Sequence, residues 1–272
     1  MFKILNKIRM YALCVVLVSV AALTGCASNV GDTSNAEYKK IVVGSDRYEP
    51  YIYLNDDGDY SGIDVEIATE AFHRMGYEPV FKRIAWEDKK GFLDRGDVDC
   101  IWSCFSMNGR EDDYQWAGPY LFSRQVVVVR SDSDIQEISD LNGKDVAVQE
   151  TSKAEEYLLS RLDEKVPNVK RVYAFSNMDD VYGALRKNYV SAVCGHEGVL
   201  GTLVKAAPEE YKMLDESLLL SNLGVAFSKD YDSEFVSRLE MIINKMNRDG
   251  TTARIVEKYG IDTEKAMSEV MK

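Results

Sequence analysis

The sequence predicts an α/β protein built as two lobes, and three observations carry that expectation. Short apolar runs alternate with one-faced helical patterns from Tyr38 to about residue 102, the valine-rich run over 125–130 stands in mid-chain, and a second alternation follows it. Strand and helix in alternation fold as a mostly parallel sheet covered by helices. With 272 residues, 46% of them hydrophobic, the chain can bury the core of one large domain or two small ones.

The first segment differs from the rest. Residues 1–25 contain no acid and carry Lys3, Lys7 and Arg9 ahead of an apolar run from Met10 to Leu23, the layout of an export signal. At roughly 13–14 residues the run is shorter than the ~20 that span a bilayer as a helix. Leu23-Thr24-Gly25-Cys26 resembles the lipobox of bacterial lipoproteins, which implies cleavage before Cys26 and an acyl lipid, palmitate included, on that residue. Residues 26–37 are small, polar and aperiodic, and read as a flexible tether.

The ordered elements follow in sequence. Ile41-Val42-Val43 is a first strand, and Gly62 precedes a helix whose apolar positions Ile63, Ile67, Ala71, Phe72 and Met75 share one face, with Gly76 as its stop. A strand over 77–83, a helix around 88–94 and a strand over 98–102 come next. The strand over 125–130 opens a second set: strand 145–149, helix 152–162, strand 169–175, helix 178–186 and strand 191–194. A strand over 224–228 and a helix carrying Phe235, Leu239, Ile242 and Met246, stopped by Gly250, complete the chain.

Charge and cysteine content narrow the function. The chain has 33 basic and 45 acidic residues, and loss of residues 1–25 leaves 30 basic against 45 acidic residues in 247. That excess argues against a nucleic-acid partner, which needs clustered Lys and Arg. Cys100, Cys104 and Cys194 remain after the export segment; on a shared strand Cys100 and Cys104 would stand about 13 Å apart, beyond bridging distance. Plain buried thiols are expected.

Five segments together resemble the family-3 extracytoplasmic solute-binding proteins of polar amino-acid ABC importers. They are residues 44–51 (GSDRYEPY), 62–68 (GIDVEIA), Arg110 followed by Trp116-Ala117-Gly118-Pro119-Tyr120, residues 146–149 (VAVQ), and Asp249-Gly250-Thr251. The resemblance implies a type II periplasmic-binding-protein-like fold, with hinged lobes and the ligand cleft between them. Lobe 1 would comprise 38–122 plus 224–272, and lobe 2 would comprise 123–223. It also implies a monomer on the outer face of the bacterial cytoplasmic membrane, held by its lipid. Such a protein delivers an amino acid or related small carboxylate to permease and ATPase subunits, with neither cofactor nor metal.

The resemblance places the ligand site residue by residue. Arg110 would hold the ligand's carboxylate, since a guanidinium offers a planar two-donor fork. Tyr48 and Trp86 would pack on its side chain. Ser103 matches a hydroxyl or glycine position, while counting back from Arg110 puts Ser106 one residue away from the expected hydroxyl. Ser152 matches the second-lobe hydroxyl at a helix start, where an N-cap role is equally compatible with the sequence. Lys153 replaces a hydroxyl residue. His196 stands where the family places the aspartate that takes the ligand's ammonium, and an imidazole supplies no fixed negative charge; Glu197 is the adjacent acid that could substitute. These departures keep two other readings open: an exported enzyme on the same fold, resembling cyclohexadienyl dehydratases and using Lys153, His196 and Glu197, or a sensor-type binding protein.

Overall fold

The computed structural model describes residues 38–160 and 165–267. The expected export signal, Cys26, the expected tether and the end of the helix expected over 152–162 lie outside the described residues. Ten strands and eight α-helices are described, running β1 (Lys39–Ser45), β2 (Tyr53–Leu54), β3 (Tyr60–Ser61), α1 (Ile63–Met75), β4 (Tyr77–Arg83), α2 (Lys89–Asp94), β5 (Cys100–Ile101), β6 (Gln115–Arg130), β7 (Asp145–Gln149), α3 (Lys153–Ser160), β8 (Arg171–Phe175), α4 (Met178–Arg186), β9 (Ala192–His196), α5 (Glu197–Ala206), β10 (Tyr211–Phe227), α6 (Ser233–Arg248), α7 (Thr251–Lys258) and α8 (Thr263–Met267).

Eight strands form one sheet in the order β4-β1-β5-β10-β6-β9-β7-β8. The flanking trios are parallel within themselves, as the alternation predicts. The centre is not: β6 and β10 are 16 and 17 residues long and pair antiparallel from Gln115↔Phe227 to Arg130↔Tyr211. The sequence shows only the valine half of β6 and the end of β10 as strands. Gly118 and Pro119 interrupt the first, and Asp215, Glu216 and Asn222 break the apolar pattern of the second. Pairing with a long neighbour holds both strands together across those interruptions, a tertiary effect outweighing local propensity.

The valine run shows how one strand serves two cores. Successive side chains of a strand point to opposite faces, so Val126 and Val128 enter the large core while Val127 and Val129 enter a second one with Ile135, Leu141, Val148 and Leu158. A third cluster packs Trp86, Ile101, Phe105 and Tyr114 on the first trio's side. Cys100, Cys104 and Cys194 are free and buried. Cys194 joins the second core, and Cys100 the large one.

Local chemistry sets the helix ends. Asn177 caps α4 by accepting from Asp180 N at 2.9 Å, and Asp232 caps α6 through Glu234 N at 3.0 Å. Gly62 begins α1 with φ 128°, and a Cβ there would stand 2.3 Å from the Tyr51 carbonyl oxygen. That contact seats the loop after β1 on the first turn of α1, where Asp64 N donates to Tyr51 O at 2.9 Å. Gly62→Ala is therefore expected to destabilise the fold by more than about 1 kcal/mol, read as a lower urea midpoint with an unchanged m-value; an unaltered midpoint would show that the loop yields freely.

Candidate functional site

Parallel strands present their carboxyl ends to one place, and ligands of open α/β sheets bind there. Asp46 and Tyr48 follow β1, Trp86 follows β4, Ser103 to Ser106 follow β5, Gln149 ends β7 with Thr151 to Lys153 behind it, and His196 ends β9. These residues, with Arg110, line one cavity. The cavity thus draws on both strand trios, and polar contacts cross between them.

Arg110 is the hub. Its side chain is only 12% exposed, and its Nη2 lies 3.1 Å from Glu156 Oε2. Nη1 donates to the Ser106 carbonyl at 3.1 Å and Nη2 to the Thr151 carbonyl at 3.3 Å, while the guanidinium carbon sits 5.2 Å from the Phe105 ring centre. Burial lowers its pKa, yet arginine remains a cation under any ordinary condition. Among the described residues Ser106 Oγ is buried without a hydrogen-bond partner, and it belongs to the cavity wall. The displacement expected from counting back along the chain therefore does not keep this hydroxyl out of the cavity. Phe105, its neighbour, packs instead among Trp86, Tyr114 and Trp116 at 5.0–5.4 Å.

Across the cavity, Thr151 adopts φ 54°, a left-handed conformation costly for a β-branched residue. Its amide donates to Glu155 Oε2 at 2.5 Å and its hydroxyl accepts from Lys89 Nζ at 2.7 Å. Ser152 Oγ accepts from Glu155 N at 3.2 Å, so it caps α3 while also facing the cavity. Lys153 Nζ contacts Glu156 Oε1 at 2.5 Å. Glu156 consequently bridges Lys153 and Arg110.

His196 is buried, with its ring 2.9 Å from the Gln125 amide nitrogen and edge-on to Tyr48 at 6.0 Å. Burial, aided by the Arg110 charge, drives its pKa down to about 3, so the imidazole is neutral. Glu197 does not join the cavity. Arg124 holds its carboxylate through two contacts of 2.6 and 2.8 Å, beside a separate hollow with Tyr259 and Ile261. A carboxylate does line the cavity, that of Asp46, which accepts from Ser103 Oγ at 2.8 Å and Gln149 Nε2 at 2.5 Å. Burial raises the Asp46 pKa against those two hydrogen bonds.

Sequence reasoning did not single out Asp46, Lys89, Gln149 or Glu156. Asp46 lay inside a quoted segment two residues before Tyr48, a signal that could have found it; Lys89 and Glu156 sit in helical stretches with no local mark. Cys104 also lines the cavity, whereas Cys194 faces the second core. Among the described residues, no group of three or more His, Cys, Asp or Glu side chains is placed to hold a metal ion, and no helix is long and apolar enough to cross a membrane.

Two buried groups give stability opposite dependences on pH. Burial raises the Asp64 carboxyl from 3.8 to about 7, although Cys104 N donates to it at 2.6 Å. The cost of charging it in the fold vanishes as pH falls from about 7 toward 3.8, because the native state binds that proton first. His196, depressed from 6.5 to about 3, loses stability as pH falls through that window, because the unfolded chain binds the proton first. Asp64→Asn removes the compensating half. Its urea midpoint should fall more steeply than the wild type's between pH 6.5 and 4, and parallel profiles would contradict the assignment.

The sequence matches the bacterial extracellular solute-binding proteins, family 3, over residues 41–262. Among relatives, it is 28% identical to the L-cystine-binding protein TcyA of Bacillus subtilis (strain 168), covering 92% of this chain and 96% of that one. It is 26% identical to the L-cystine-binding protein TcyJ of Escherichia coli (strain K12), covering 80% and 81%. Among solved structures, that of Tv2483 bound to L-arginine superposes with a TM-score of 0.74 at 26% identity, over 81% of this chain and 90% of that chain. The cavity at the strand ends, the two parallel trios on a central antiparallel pair, and a match spanning nearly the whole described chain make this protein a member of solute-binding family 3.

Proposed function

We infer that this chain captures an amino acid or related small carboxylate in the cavity between its two strand trios and hands it to the permease and ATPase of an ABC importer. The observation that carries this reading is Arg110. Its planar cation, only 12% exposed, is held in the cavity beside the unpartnered Ser106 hydroxyl and the first turn of α3, which is the donor set a carboxylate needs. Asp46 takes the ligand's ammonium in place of His196, whose neutral ring serves only as a hydrogen-bonding wall. Tyr48 and Trp86 flank the side chain.

Closure is by rotation about β6 and β10, with lobes of 38–122 plus 224–272 and 123–223. The pairs Leu121↔Leu223 and Phe122↔Asn222 lie where the two long strands pass between the trios, and a few such residues can absorb a hinge rotation. Cross-cleft ties support a closed arrangement: Gln149 to Asp46, Lys89 to Thr151, and Arg47 to Asp179 at 3.2 Å. Upstream, the lipobox-like Cys26 and the tether would keep the protein on the outer face of the cytoplasmic membrane as a monomer.

Binding rather than turnover is favoured by the groups an enzyme would need. Lys153 is paired with Glu156, Glu197 with Arg124, and the His196 ring is too weak a base to accept a proton near neutral pH. Titration calorimetry across the amino acids should find a ligand whose affinity falls about 100-fold in Arg110→Ala, the loss of a buried charged partner being worth about 2–5 kcal/mol. Full affinity in that variant would sink the carboxylate assignment. Asp46→Asn should weaken the same ligand far more than its analogue lacking the amine; equal losses would remove Asp46 from the ammonium site.

A further inference from the structure

One buried cation near the cavity has no counter-ion among the described residues. Lys89, at the start of α2, is 6% exposed. Its Nζ meets only neutral oxygens, the Trp86 carbonyl at 3.2 Å, the Thr151 hydroxyl at 2.7 Å and the Thr151 carbonyl at 3.5 Å. It also lies 4.7 Å from the Trp86 ring centre and 5.6 Å from that of Phe105. No carboxylate of the described residues is within ion-pair distance of it, and Asp46, Glu87 and Glu155 act only from farther away. Trp86, Phe105 and Thr151 all belong to the cavity wall.

Lys89 is also crowded by its own kind. Arg110 sits over the same Phe105 ring, 5.2 Å from its centre, and donates to the same Thr151 carbonyl. Two cations thus converge on one neutral oxygen at the edge of a cavity, an arrangement that like charges resist unless an anion joins them. The resident acids are already engaged. Asp46 receives Ser103 and Gln149, and Glu156 is shared by Arg110 and Lys153. With His196 neutral, the charged side chains on the cavity wall itself are Arg110 and Lys153 against Asp46, which leaves the wall one positive charge in excess, while Lys89, Glu155 and Glu156 stand outside that wall.

We propose that the solute carries a second acidic group, which Lys89 takes while Arg110 holds the first carboxylate, so that the ligand class is the acidic amino acids. This rests on the reading of the cavity as an amino-acid site and adds the charge of the ligand to it. A monoanionic ligand balances the excess on the wall, whereas a neutral zwitterion leaves it in place. Burial and the nearby Arg110 lower the Lys89 pKa to about 8, in keeping with a cation awaiting its partner.

The test is calorimetric titration of the purified full chain with L-glutamate, L-aspartate, L-glutamine, L-asparagine and L-arginine. An acid should bind at least about tenfold more tightly than its amide, as expected for one charged hydrogen bond. Lys89→Gln keeps a donor for Thr151 but removes the charge. It should lower affinity for the acid by about tenfold or more and leave the amide within about twofold. Lys89→Met, which loses the donor as well, should show the same selectivity. Tighter binding of an amide or of arginine by the wild type would overturn the proposal and leave the amino-acid site standing. An equal loss for acid and amide in both variants would also overturn it, reducing Lys89 to a strut beneath Thr151. Binding of none of the five, with another amino acid found to bind, would reject the acidic class alone; binding of no amino acid or carboxylate at all would reject both readings.

Discussion

Arg110 must remain a cation where its side chain is almost withdrawn from water, and most of the surrounding cavity answers that requirement. A buried charge is tolerable only when its donors are occupied and opposite charge is close. The Ser106 and Thr151 carbonyls fill two of its donor positions and Glu156 supplies the opposite charge. Those partners come from different parts of the sheet. The same requirement that solvates Arg110 therefore draws the two strand trios together over the cavity.

Thr151 shows what that convergence costs. A β-branched residue in the left-handed region loses about 1–3 kcal/mol, and it persists here because its three backbone and side-chain polar groups are all engaged. Glu155 takes the amide, Lys89 the hydroxyl, and Arg110 with Lys89 the carbonyl. The strained residue thereby aims a carbonyl at two cations and leaves Ser152 free to begin α3. Its conformation is a consequence of contacts made across the cavity, not of its neighbours along the chain.

Much of the fold was legible in the sequence because strands and helices bury their apolar faces with periods that can be read locally. The strand Tyr77–Arg83, the strand Asp145–Gln149 and the helix Met178–Arg186 lie where that periodicity puts them. The helix Glu197–Ala206 was not read, since it begins directly on the last residue of a strand and carries two glycines, Gly198 and Gly201. The full length of the two central strands was hidden as well. Their polar interruptions are tolerated only because each strand lies hydrogen-bonded beside the other.

The site divides along a similar line. Residue types and their order in the chain marked Tyr48, Trp86, Ser103, Ser106, Arg110, Ser152, Lys153 and His196, and the structure brings these eight to one cavity. Glu197 was drawn in by adjacency alone, but consecutive residues at a strand end point in different directions, and Arg124 holds this one elsewhere. By itself, then, the sequence determined the alternation of elements, the strand ends and the charged side chains available there. Only the tertiary structure decided that Asp46 supplies the cavity's inner carboxylate, that His196 is neutral, and that Lys89 stands without a counter-ion among the described residues. Those properties depend on burial and on distances between residues tens of positions apart, for which a linear sequence has no period.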